Sequence, residues 1–104
     1  MLKNFESIIG FDWDKRKSEL NLAKHGIDFD DAKEVFYGPV TVRQSNRGNE
    51  ERWVAIGYLE NRLVAVVFTH RAGFIRIISA RRARKNEERE YRNSEVGRPP
   101  KGQD

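Results

Sequence analysis

Apolar positions recur in two different rhythms along this chain, and the change falls near Pro39. Before it the spacing is helical. Asp14 stands where an N-cap belongs, ahead of a helix over Lys15–His25, and Gly26 follows in the position that ends helices in a left-handed turn. The apolar content of that helix is thin, with Leu20 and Ala23 three apart on one face and Leu22 beside them. A second helix starts at once. Asp28 caps it, Asp31 sits three residues on, and Ile27 can staple onto Ala32. Phe29, Ala32, Val35 and Phe36 then recur at helical intervals until Gly38-Pro39 stops the run. Ahead of both helices, Ile8–Trp13 is a short apolar stretch that suits a first strand.

After Pro39 the period is that of strands. Val40–Arg43 is a strand candidate, and Ser45–Glu50 is a polar loop containing Gly48. Three β-rich runs follow, Arg52–Leu59, Leu63–His70 and Phe74–Arg81. Glu60-Asn61-Arg62 and Arg71-Ala72-Gly73 join them and are short enough for hairpins, which predicts an antiparallel meander. The stretch Leu63–Phe68 is apolar on both faces and is therefore the central strand. Arg84–Asn93 reads as a charged helix. The expected fold class is α+β, with two N-terminal helices packed on a four-stranded antiparallel sheet and a helix at the C-terminus. A single domain is expected over residues 1–93, followed by a flexible tail over 94–104 that contains Pro99-Pro100.

A length of 104 residues leaves room for one core. Hydrophobic residues make up 38% and charged residues 35%, a polar but globular balance. The absence of cysteine excludes a disulfide framework and a thiolate metal site. The two histidines and the scattered carboxylates also lack the spacing of a zinc site, so no metal and no cofactor is expected. Met1–Gly10 lacks the apolar core of a signal peptide and no segment approaches a membrane span, so the expected location is cytoplasmic, with no membrane partner.

The net charge of +4 is unevenly placed. Residues 71–92 hold Arg71, Arg76, Arg81, Arg82, Arg84, Lys85, Arg89 and Arg92 against Glu87, Glu88 and Glu90, a local +5 that leaves −1 for the remainder. Arginine outnumbers lysine thirteen to seven, and its planar fork of donors matches pairs of phosphate oxygens. That cluster is the electrostatic footprint of a nucleic-acid surface. A solvated charged face, or a surface for an acidic protein partner, accounts for the same charges.

Two stretches, FDWDKRKSELNLAKHGIDFDDAKEVF from Phe11 and ERWVAIGYLENRLVAVVFTHRAGFIRIISARRARKNEEREY from Glu51, carry an ordered set of residues. The set comprises Trp13-Asp14, Asn21, Lys24-His25-Gly26, Phe29, Val35-Phe36, Glu51-Arg52, Ile56-Gly57, Thr69, Arg71 and Arg76-Ile77-Ile78-Ser79-Ala80-Arg81. It resembles the BrnT toxin family over roughly Phe11 to Tyr91. The resemblance implies a fold similar to RelE-type ribonucleases and an RNA substrate. It also implies an adjacent antitoxin that neutralises the toxin and binds DNA, so that DNA is met only through that complex.

Such a ribonuclease needs three things when the 2′-hydroxyl attacks its own neighbouring phosphate. A group must take the 2′-hydroxyl proton, donors must stabilise the phosphorane oxygens, and a group must protonate the leaving oxygen. The resemblance favours His25 for proton transfer, with Lys24 beside it, although cations also suit a helix C-terminus for electrostatic reasons alone. His70 is read as a turn residue. Arg71, Arg76 and Arg81 are candidates for the phosphate, Ser79 for a supporting donor, and Glu51 for an alternative base. Regular alternation places Arg76 and Arg81 on opposite faces of their strand unless a bulge intervenes. Arg76, flanked by apolar residues, must be either functional or bridged to a carboxylate such as Glu51. Arg81, at a strand end, is expected to be free of the core. Arg52, Arg82, Arg84 and Lys85 are candidates for RNA contact, and Tyr91 either stacks a base or packs its helix onto the sheet. Trp13 and Trp53 are assigned to the core. A non-catalytic nucleic-acid-binding module and a partner-binding domain remain open alternatives.

Overall fold

The computed structural model describes residues 8–94. Strand β1 (Gly10–Asp12) leads into helix α1 (Lys15–His25), helix α2 (Phe29–Ala32) and a 3-10 turn over Lys33–Tyr37. Strands β2 (Thr41–Gln44), β3 (Trp53–Leu59), β4 (Arg62–Arg71) and β5 (Phe74–Arg82) follow, and helix α3 (Lys85–Asn93) ends the fold. The caps are where the sequence calls for them. Asp14 accepts from the Lys17 N–H at 3.0 Å, Asp28 accepts from the Asp31 N–H at 2.8 Å, and Gly26 is left-handed at φ 74°. The expected tail lies outside the described residues apart from Ser94, and so do the first seven residues of the stretch read as lacking a leader.

The sheet differs from the expected four antiparallel strands. It has five strands in the order β1-β5-β4-β3-β2, and β1 runs parallel to β5, Phe11 opposite Ile75 and Asp12 opposite Arg76. A parallel partner needs a long crossover, which the helices and the meander between β1 and β5 supply. The meander itself is as expected. Glu60 and Asn61 turn β3 into β4, and Ala72-Gly73, both at positive φ, turn β4 into β5. The second helix also departs from its reading as one continuous element. It is α-helical for one turn and then winds at three residues per turn, which aligns Ala32 with Val35 so that both reach the sheet. There the chain comes so close that a Cβ on Gly57 would lie 2.9 Å from both Val35 Cγ1 and Val40 Cγ1, so β3 requires glycine at that point.

The main core lies between the sheet and the N-terminal helices. Ile27, Phe29, Val35 and Phe36 meet Val64, Val66, Phe68, Ile75 and Ile77, and Phe36 packs edge-on against Phe68 with centroids 5.1 Å apart. Trp53 stacks on Phe68 and Trp13 meets Phe29 edge-on, so both tryptophans border this core as expected. Helix α1, however, presents polar residues to it, while Leu20 and Leu22 are exposed. Ser18 Oγ accepts from the Phe29 N–H at 2.9 Å. Asn21 Oδ1 accepts from the Ala80 N–H at 3.2 Å, and its Nδ2 donates to the carbonyls of Ala80 and Ile27. The Asn21 side chain thus serves the free edge of β5 as a neighbouring strand would. Asn21→Ala leaves these buried backbone groups without partners and is expected to destabilise the fold by about 3 kcal/mol. Urea denaturation monitored by tryptophan fluorescence measures it, and a midpoint equal to wild type would disprove the clasp.

Candidate active site

A bulge in β5 decides what the face opposite the N-terminal helices displays. Val67 pairs with Ser79 and Phe68 with Ile77, so Ile78 is an extra residue that shifts the alternation by one. Ile75, Ile77 and Ala80 therefore all point into the main core, whereas Arg76, Ser79 and Arg81 share the opposite face. Thr69 lies opposite Arg76, Arg71 lies opposite Phe74, and Asp12 is beside Arg76, all on that same face. Helix α3 covers the other end of it, with Tyr91 packed among Val54, Ile56, Leu63 and Ala65. The end near the β4–β5 turn is open, and the Arg71 side chain there is 65% exposed.

Two carboxylates, Asp12 and Glu50, hold the arginines of this open end. Arg76 Nη1 donates to Asp12 Oδ2 at 2.7 Å, so its partner is Asp12 and not Glu51. Arg52 Nε donates to Glu50 at 2.6 Å, and Arg71 Nη2 makes a longer contact of 3.4 Å with the same carboxylate. The Arg52 hydrogen bond holds the Glu50 carboxyl below the usual range. Glu51, the alternative base, is exposed, and its carbonyl accepts from Thr69 Oγ1 at 2.9 Å. Each guanidinium has five N–H donors, and these contacts leave most of them available to phosphate oxygens.

The other end of the face is locked. Glu87 of α3 is completely buried, and its carboxylate accepts from Arg81 Nη1 at 2.7 Å, Arg81 Nη2 at 3.0 Å, Arg43 Nη2 at 3.0 Å and the Arg84 N–H at 2.8 Å. Burial pushes this carboxyl up, but the hydrogen bonds from Arg81, Arg84 and Arg43 outweigh it and hold the group down to about 2. Arg81 is therefore not free of structural duty, contrary to expectation. Tyr91 is buried as well, its hydroxyl donating to the Pro39 carbonyl at 3.4 Å, so it packs the helix and does not offer its ring to a base. Arg82, Arg84 and Lys85 are exposed, with no ion pair among the described residues. Lys24 and His25 are exposed at the end of α1, and no side-chain hydrogen bond or ion pair joins them to the sheet arginines. His25 does follow Asn21 by four residues and so shares its helix face, one turn from the clasp on Ala80. Among the described residues, no group of three or more His, Asp or Glu could hold a metal ion.

A family model described as the ribonuclease toxin, BrnT, of type II toxin–antitoxin systems matches residues 13–87. The crystal structure of the Brucella abortus ribonuclease toxin BrnT is similar, with a TM-score of 0.61 and 32% sequence identity, over 73% of this chain and 97% of that one. Among curated proteins, none matches the sequence. Both similarities are to ribonuclease toxins. The chain belongs to the BrnT family, the ribonuclease toxins of type II toxin–antitoxin systems.

Because the Glu87 carboxyl lies at about 2 in the fold and near its ordinary 4.5 when unfolded, its contribution to stability is complete above the higher value. It is lost as pH falls through the lower one, and the shift corresponds to about 3 kcal/mol. Glu87→Gln is expected to lower stability at pH 7 and to flatten the stability profile between pH ~2 and ~5. Arg81→Ala, which removes two of the four hydrogen bonds to the buried carboxylate, is expected to cost about 3 kcal/mol. Chemical denaturation across that pH range tests both substitutions.

Proposed function

We propose that this toxin cleaves RNA by metal-independent attack of a 2′-hydroxyl on the adjacent phosphate, using the open end of the sheet face as its phosphate site. The observation that supports this reading is the convergence of Arg71 and Arg76 with Ser79 and Arg52 on the open end of one sheet face. Arg71 and Arg76 hold the scissile phosphate and stabilise the phosphorane as charge develops on its oxygens. Ser79 adds a hydroxyl donor, and Arg81 sustains the positive potential from its place beside Glu87. The attacking oxygen loses its proton to a general base as a bond to phosphorus forms; His25 serves as that base only for RNA that passes round the edge of β5, because α1 packs on the other side of the sheet. The bond to the 5′-oxygen then breaks and that oxygen is protonated, giving a 2′,3′-cyclic phosphate and a 5′-hydroxyl end. Lys24, one residue from His25 at the same helix end, anchors a phosphate. Arg82, Arg84 and Lys85 follow the flanking backbone.

Cleavage of cellular RNA in the cytoplasm would inhibit translation and arrest growth. A type II system supplies a protein antitoxin, and we propose that the cognate antitoxin neutralises the toxin by binding it and brings the complex to DNA. One observation favours a second reading, a non-catalytic RNA-binding module. Arg52, Arg71, Arg76 and Arg81 all already face carboxylates, which lowers the field they present to phosphate.

End mapping after expression of the chain without its antitoxin separates the two. New 5′-hydroxyl ends are expected, with cleavage in vitro unaffected by chelators, whereas bound but intact RNA would support the binding module. Arg71→Ala removes an exposed side chain and is expected to slow cleavage by on the order of 100-fold without changing the melting temperature. His25→Ala is expected to slow it by a similar factor, on the order of 100-fold. Undiminished cleavage by a folded His25→Ala protein would remove His25 from the mechanism.

A further inference from the structure

Phe74 is an aromatic side chain that is 36% exposed on the same open face as the arginines. It is the first residue of β5, directly opposite Arg71 and two residues from Arg76 on its own strand. The Ala72-Gly73 turn, with φ values of 53° and 87°, fixes this register, so the ring and the two guanidinium groups share one rigid hairpin end. The parallel neighbour of Phe74 is Gly10. A Cβ placed on Gly10 would lie 3.4 Å from Phe74 Cε1 and 3.7 Å from Cδ1, so the ring leans across the bare backbone of β1. The β1 backbone thus supports the ring from beneath while a third of the residue remains in solvent. A ring held this way between two cations is poorly explained as core, because the main core lies on the other face of the sheet.

Resting on the ribonuclease reading above, we infer that Phe74 is a base-stacking platform that receives the nucleobase adjacent to the scissile phosphate of single-stranded RNA. Charge complementarity identifies the occupant. A nucleotide joins a flat apolar base to an anionic phosphate, and this surface joins a flat apolar ring to Arg71 and Arg76. Stacking on an aromatic side chain is tolerant of sequence, because every base has a π-face, and it supplies affinity without hydrogen-bond readout. A single-stranded or unpaired site is required, since a base within a duplex is already stacked on its neighbours.

The test uses the full chain and 2′-O-methylated RNA hexamers, which cannot be cleaved, carrying the fluorescent base 2-aminopurine at successive positions. Wild type and Phe74→Tyr are expected to quench the fluorescence at one position. Phe74→Leu keeps an apolar side chain over Gly10 but removes the π-face. It is expected to relieve the quenching and weaken binding on the order of tenfold, with an unchanged melting temperature. In cleavage of unmodified RNA the same variant is expected to raise KM more than it lowers kcat. If wild type cleaves RNA while Phe74→Leu retains the quenching, affinity and KM, the platform is refuted and the ribonuclease reading stands. If wild type does not cleave but shows Phe74-dependent quenching, the ribonuclease reading falls and the platform stands. If Phe74→Leu weakens only antitoxin binding, the ring serves a protein partner and the inference is overturned.

Discussion

A single buried carboxylate organises the half of the molecule that bears α3. Glu87 has no exposure to solvent, and an isolated charge in that position would be prohibitive. Four hydrogen bonds from three directions compensate for it: two from Arg81 on β5, one from Arg43 on edge strand β2, and one from the first turn of its own helix. The last of these is half of a capping box, with Glu87 reaching back to the Arg84 N–H while the Arg84 side chain, lacking an acceptor, cannot return the bond. The geometry leaves α3 one position on the sheet, and it is this docking that seats Tyr91 over Val54, Ile56, Leu63 and Ala65. A second contact, Arg43 to Glu90 at 3.0 Å, continues the link along the helix.

The local elements were legible because their signals are local. Caps at Asp14 and Asp28, a left-handed glycine after α1, and short turns between strands each depend on neighbours within a few residues. The parallel pairing of β1 was not legible, because its partner lies far along the chain and two helices intervene. The apolar stretch itself was visible; its membership of the sheet was not. The packing face of α1 was misread for another reason. Apolar content is a proxy for burial, and here Ser18 and Asn21 are buried because they satisfy backbone groups, while Leu20 and Leu22 face solvent.

The candidate site was legible as a set of residues and not as an arrangement. The family resemblance pointed to Arg71, Arg76, Ser79 and Arg81, and the first three lie together at the open end of one sheet face. Their shared face depends on one extra residue at Ile78, which strand alternation cannot forecast. Charge partners were equally hidden. Asp12, Glu50 and Glu87 drew no attention as individuals, yet they fix Arg76, Arg52 and Arg81. A run of cations in sequence is therefore not the same thing as a field in space. Arg43, Arg52, Arg71, Arg76 and Arg81 are each matched by a carboxylate, whereas Arg82, Arg84 and Lys85 have no ion pair among the described residues.

The pairing of β1 with β5 also bears on synthesis. Asp12 and Arg76 are 64 residues apart, and Asn21 and Ala80 are 59 apart. During translation the N-terminal strand and helix emerge first and have nothing to dock against until β5 has left the ribosome. Long-range closure of this kind is slow compared with hairpin formation. The arginine face is therefore assembled only once β5 has emerged to join β4 and β1.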